Sequence, residues 1–161
     1  MSPFISDHKR RNPLNISIVK LQMVKDGSIE YGRWQISEPK DIAEIGFRIL
    51  DKADREIFAV ICLNMKNRIN FIHIVSIGTL QSSLIHPREV FKAAVLSNSA
   101  SIVLLHNHPS GNLEPSNEDI AVTKRLIEAG EILDIKVLDH VIVADNEFKS
   151  MQEGRICDFR Q

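Results

Sequence analysis

Residues 100–119, ASIVLLHNHPSGNLEPSNED, constrain the fold most tightly. An apolar run ends in His106-Asn107-His108, and Pro109 breaks it. Residues i and i+2 of a strand share a face, so His106 and His108 aim their rings together while Asn107 turns away. On a helix the same spacing would set them about 200° apart. One metal ion with ligand bonds of about 2.0–2.1 Å can take both rings from a strand. Ser110-Gly111 then bends the chain, and Ser116 opens a helix whose first turn holds Asp119. The connection is short, so that turn lies close to the strand end. Its carboxylate could complete a three-ligand set with a fourth position for water, which is the catalytic pattern rather than the closed structural one. Ser116-x-x-Asp119 is also a capping box, with the acid bonding back to the helix start, and judged alone Asp119 reads as a cap before a ligand. A lone histidine pair at a strand end is more often a polar surface feature than a metal site. The combination of pair, turn and acid brings the metal site level with its structural alternative.

The rest of the chain supplies the frame. Residues 15–24 alternate apolar and polar positions, an Asp-Gly turn follows, and residues 29–36 read as the returning strand. Period then switches to helical over residues 37–53, with Ser37 as cap and Pro39 in the first turn. Ile42, Ile45, Ile49 and Leu50 share its inner face. Residues 56–65 are apolar on both alternating sets, the mark of a strand covered on both faces. Residues 70–79 return, and 86–98 form a helix with Val90, Phe91, Ala94 and Val95 inward. Residues 100–107 are a buried strand, 116–130 a helix that Gly130 ends, and 135–145 a last strong strand. The order mixes hairpins with strand–helix–strand units, giving an α/β fold: a single domain with a central mixed sheet flanked by helices. Residues 1–37 are expected to form an N-terminal arm and strand pair of the same domain, and 38–161 its main body.

Composition excludes several classes. A formal net charge of −1 gives no bulk attraction to nucleic acid or to an anionic membrane. The basic cluster HKRR (8–11) reads as a solvated arm. Two cysteines, Cys62 and Cys157, make no disulfide framework, which fits a cytoplasmic protein. No apolar stretch approaches the roughly 20 residues that span a bilayer, and the N-terminus has the reverse charge order of a signal peptide.

His106-x-His108, ten further residues and then Asp119 resemble the metal signature of the JAMM (MPN+, or JAB) metalloproteases. Pro109 and Ser116 match that signature too. The wording HNHPSG, EPSNEDI and IKVLDHVIV, with REIFAVICLNMKNRI and HPREVFKAAVLSNSASIVLL upstream, is similar to one branch, the RadC-like proteins. The likeness runs from about residue 38 to 154. It implies a JAB/MPN-like fold with cytidine-deaminase-like layering. It implies zinc as cofactor, His106, His108 and Asp119 as its ligands, and Glu56 as general base for the activated water. It also implies that Ser116 steadies the oxyanion. Read without the family, Glu56 only closes the charged run DKADRE (51–56), and Ser116 only caps a helix. Asp139 and His140 belong to the branch's LDHVIV wording. His140 is either a support for a ligand or a satisfied core histidine. Full-length RadC-like proteins carry an N-terminal helix-hairpin-helix region associated with DNA. Here only about forty residues precede the matching core, and they read as a strand pair.

The expected function is a zinc-dependent hydrolase of amide bonds, a peptidase or isopeptidase acting on a peptide or protein substrate. The alternative is a DNA-associated repair or binding module of the RadC type without peptidase turnover. A metal-bearing scaffold is a third choice, opposed by the presence of Glu56. The letters HNH carry no nuclease meaning, because that motif spreads its residues over a ββα unit. Zinc-deaminase, His-Glu-x-x-His, Gly-x-Ser-x-Gly and phosphate-loop motifs are absent. Residues 76–87 are the expected wall of a substrate cleft. No membrane partner is expected.

Overall fold

A computed structural model describes residues 16–50, 53–78 and 85–160. Two strands that are apolar on both faces fix its centre. β1 (Ile57–Leu63) and β3 (Ser101–Asn107) pair antiparallel. All seven residues of β3 and six of the seven in β1 are buried, so both faces must be covered by other elements. β2 (Ile69–Ile77) adds antiparallel to β1, β4 (Lys136–Ala144) adds parallel to β3, and β5 (Glu147–Ser150) adds antiparallel to β4. The sheet order is β2-β1-β3-β4-β5. α1 (Pro39–Leu50) covers one face, where Ile42, Ile45 and Leu50 meet Ile61, Leu105 and Val143. α2 (Pro87–Leu96) and α3 (Asn117–Leu133) cover the other, where Val90, Phe91 and Leu126 meet Phe58, Ile102 and Leu104. Cys62 and Cys157 are free and buried, one core residue each. Among the described residues no helix is long and apolar enough to cross a membrane.

The one parallel pair positions the site. Parallel neighbours need a crossover, and here α3 supplies it. The start of α3 is therefore set close to the end of β3 where the histidines sit. β4 carries a second device. Ile102 pairs with Val137 but Val103 pairs with Asp139, so Leu138 is an extra residue, a β-bulge. Strict alternation from Val137, which faces α2 and α3, would send His140 to the α1 side. The bulge reverses the phase, so Val141 and Val143 face α1 while His140 joins His106.

Several expectations need correction. No strand pair forms over residues 16–36. Residues 16–30 have no regular structure, and Ile16, Ile18, Val19 and Leu21 are exposed. Only Gln35 makes a bridge, to Arg68. Just upstream the segment is tied to α1 instead: Tyr31 donates to the Asp41 carbonyl (3.1 Å), Arg33 to the Asp41 carboxylate (3.1 Å), and Arg48 to the Glu30 carbonyl (2.8 Å). An isolated two-stranded ribbon is marginal in water, and α1 competes for the same residues. Residues 1–15, including the HKRR arm, lie outside the described residues. Val95, expected inward, is exposed at 52%, and Ala93 takes the inner position. α3 does not stop at Gly130. It runs to Leu133 and ends on Asp134 in the left-handed region (φ 55°). Gly130 serves close packing, since a Cβ there would sit 2.5 Å from the Ile135 carbonyl oxygen.

Candidate metal centre

His106 is the penultimate residue of β3, fully buried, and His108 follows just past the strand, part-buried. Asp119 is the third residue of α3 and is fully buried. His106 Nε2 lies 2.8 Å from His108 Nε2 and 3.3 Å from Asp119 Oδ1, and His108 Nε2 lies 3.4 Å from Asp119 Oδ2. One donor atom from each of the three residues fits within 4.8 Å of the others, a cluster able to hold a metal ion.

Each donor is held from behind. His108 Nδ1 faces the Asn112 carbonyl oxygen at 2.5 Å, so it carries the proton and donates. The Ser116 backbone N–H and hydroxyl both donate to Asp119 Oδ2 (2.7 Å each), and the Asp119 N–H returns a bond to Ser116 Oγ at 3.1 Å. The capping box is therefore real, and it aims the carboxylate rather than excluding a ligand role. Ser110, expected to serve the turn, accepts from the Asn112 N–H at 3.4 Å. Phe58 walls the site, stacked on His106 with centroids 6.1 Å apart and edge-on to His140 at 5.5 Å.

The electrostatics call for one positive charge at the centre. Burial drives the His106 pKa well below 6.5, so that ring is neutral with one lone pair. Asp119 Oδ1 is buried and has no hydrogen-bond partner, a costly state for a carboxylate oxygen. Burial raises the Asp119 pKa, but His108, His106 and Ser116 outweigh it and hold the carboxyl well below its ordinary range. In return the Asp119 hydrogen bond, chiefly, raises the His108 pKa. A proton is thus favoured at the spot where a cation would sit, and a metal would displace it. Two imidazoles and a carboxylate are a donor set that suits zinc.

Glu56 is brought to the same place from a distant stretch of chain. Phe58 pairs with His106 as the last pair of the β1–β3 register, and Glu56 lies two residues before Phe58, at the end of the sheet where the histidines sit. Its charge acts on His108. Asn107 fixes the backbone on either side of it. The Asn107 side chain accepts from the Ile57 N–H (2.8 Å) and donates to the Arg55 carbonyl (3.1 Å). The Glu56 carbonyl accepts from the Gly78 N–H at 2.8 Å. Asp139 lies one step away from the cluster. It accepts from the His140 and Gln152 backbone N–H groups (2.7 and 2.9 Å) and from the Ser150 hydroxyl (2.6 Å), tying the β4 bulge to the end of β5. Burial raises the pKa of its carboxyl. His140 reaches His106 directly, Nε2 to Nδ1 at 2.7 Å.

Sequence reasoning missed Asn107, Asn112, Phe58 and Thr123 here. Thr123 was findable, since it sits four residues after Asp119 on the same helix face. Asn107 was not, because its partners, Ile57 and Arg55, lie 50 and 52 residues away in the chain. Of the expected cleft wall, residues 79–84 lie outside the described residues. A small hollow of about 110 Å³ borders His108 together with Phe47, Pro109 and Asp145. A more open one of about 740 Å³, bordered by Trp34, Asn64 and Arg68, lies at the far end of β1 and has no part in this chemistry.

Burial pushes His140 down to about 4, while an unfolded histidine titrates near 6.5. The unfolded chain therefore takes up protons first as pH falls, and stability drops between those values. That gap corresponds to about 3 kcal/mol at full extent. His106 acts in the same direction, and His108, raised by Asp119, opposes it in part. The metal-free protein is expected to lose most of this increment between pH 6.5 and pH 4, read as a falling denaturant midpoint. A midpoint flat across that window would contradict the buried, neutral histidine pair.

Comparison with known proteins identifies similar chains. The family description "RadC-like JAB domain" matches residues 36–156. A UPF0758 protein of Caldanaerobacter subterraneus subsp. tengcongensis is 43% identical over 164 residues, covering 96% of this chain and 70% of the relative. A UPF0758 protein of Desulforamulus reducens is 52% identical over 114 residues, 71% of this chain and 50% of the relative. One from Methanosarcina barkeri is 41% identical over 125 residues, 78% and 55% respectively. The matched region thus spans about half the length of the last two relatives.

Proposed function

The chain belongs to the RadC-like JAB domain family, and on that premise we propose that it is a zinc-dependent metallohydrolase that cleaves amide bonds of a peptide, protein or isopeptide substrate. The observation that carries this is the buried convergence of His106, His108 and Asp119, with Asp119 Oδ1 left without any hydrogen-bond donor. These three residues would hold the ion. Zinc so held supplies a Lewis acid and lowers the pKa of water to about 7. Glu56, whose charge acts on His108, accepts the proton of the attacking water and delivers it to the leaving amine. Asn107 keeps the Glu56 backbone in register while it does so. In the resting arrangement both donors of Ser116 serve Asp119. For Ser116 to steady the oxyanion its hydroxyl must turn outward, leaving the backbone N–H to hold the carboxylate.

A DNA-associated role without turnover draws no support from a formal net charge of −1. The test is cleavage of peptide and isopeptide-linked substrates by the zinc-loaded full chain. Cleavage should disappear on chelation and return with added zinc. A stoichiometrically loaded protein that cleaves no amide bond in the panel would contradict the hydrolase assignment.

A further inference from the structure

Behind the donor cluster a row of buried polar atoms leads back to the third ligand's own backbone. His106 Nδ1 meets His140 Nε2 at 2.7 Å, and His140 Nδ1 meets Thr123 Oγ1 at 2.6 Å. Thr123 Oγ1 in turn meets the Asp119 carbonyl oxygen at 2.6 Å. His106, His140 and Thr123 are all fully buried, so water cannot substitute for any link.

The direction of the row follows from its ends. A carbonyl oxygen only accepts, so the Thr123 hydroxyl spends its single proton there. The more distant Met151 sulfur, at 3.7 Å, is a weak competitor. Thr123 Oγ1 is then left to accept, and His140 Nδ1 carries the proton it receives. A neutral imidazole has one N–H, so His140 Nε2 accepts and His106 Nδ1–H donates. His106 Nε2 keeps its lone pair on the side of the ligand cluster. The other end agrees. Asp119 Oδ1, 3.3 Å from His106 Nε2, receives no hydrogen bond from it.

We propose that Thr123 and His140 are positioning residues that lock His106 in its Nδ1–H tautomer, so that Nε2 is presented to the metal. The row closes on α3 at Asp119. The first and third ligands are therefore set as one unit, and a shift of α3 would disturb both. The proposal rests on the metal assignment above, but its first test does not need a metal. Long-range ¹⁵N-edited NMR of the metal-free full chain reads the tautomer of each histidine. His106 and His140 are both expected as Nδ1–H. Nε2–H on His106 would mean that the row runs the other way and would overturn the proposal, whether or not zinc binds.

The second test is zinc affinity, measured by competition with a chromophoric chelator. Thr123→Val removes both the donor and the acceptor at nearly constant volume. It is expected to weaken binding about 10–100-fold, as loss of a ligand's supporting partner does. Thr123→Ser, which keeps the hydroxyl, should bind nearly as the wild type does. Wild-type affinity in Thr123→Val would overturn the proposal. Equal weakening in both variants would reduce Thr123 to a packing residue and would overturn it too. If Thr123→Val does not fold, the wild-type tautomer and Thr123→Ser still decide. A wild type that binds no zinc but shows both Nδ1–H tautomers would remove the metal assignment and leave the row intact.

Discussion

Glu56→Gln is expected to lower kcat by about 10²–10⁴-fold while the protein keeps its metal and its fold. That is the range removed with a general base, and the amide is isosteric but takes up no proton at neutral pH. The backbone should not move, because its anchors are independent of the carboxylate. Asn107 holds Arg55 and Ile57, and Gly78 holds the Glu56 carbonyl. Turnover of a cleaved substrate and elemental analysis of the same sample read the two halves of this expectation. Undiminished turnover would remove Glu56 from the mechanism. Loss of metal together with turnover would make it a ligand.

Phe58→Ala is expected to cost about 3–5 kcal/mol, the usual range for deleting a buried aromatic ring. Phe58 is only 1% exposed and packs on the α2 and α3 side of β1. It is also the wall against which His106 and His140 lie. The cavity left behind would sit beside two of the groups that must stay rigid, and the cost depends on how far they collapse into it. The variant should therefore lose stability both with and without metal, and should bind metal more weakly. Glu56→Gln should do neither. Denaturant midpoints of metal-free and loaded samples measure this. A loss under about 1 kcal/mol would contradict the packing described for this wall.

What the sequence made legible was local. The two histidines obey the period of a strand, and Asp119 follows within one short turn and one helix start, so their meeting needed no knowledge of distant chain. The central strands declared themselves through apolar residues on both alternating sets. Glu56 was different. It is 50 residues from His106, and only the pairing of β1 with β3 brings its stretch of chain to the histidines. Family resemblance named it, whereas composition suggested an ordinary charged run. His140 needed a β-bulge that nothing in KVLDHVIVA announces; simple alternation would have pointed it at α1. The N-terminal segment failed for the opposite reason. Its alternation is genuine, but a strand requires a partner, and Tyr31 and Arg33 attach that stretch to α1 instead. At Gly130 the cue for a helix end was the same residue that a close backbone approach requires.

The most direct test of the central claim is metal content by elemental analysis. The full chain is compared with a His106→Ala/His108→Ala double variant, each exposed to zinc and then freed of loosely bound ions. About one zinc per wild-type chain and almost none in a still-folded variant is the result these contacts predict. A wild-type chain that retains no metal after zinc is supplied would contradict it, and the histidine pair would then serve the fold alone.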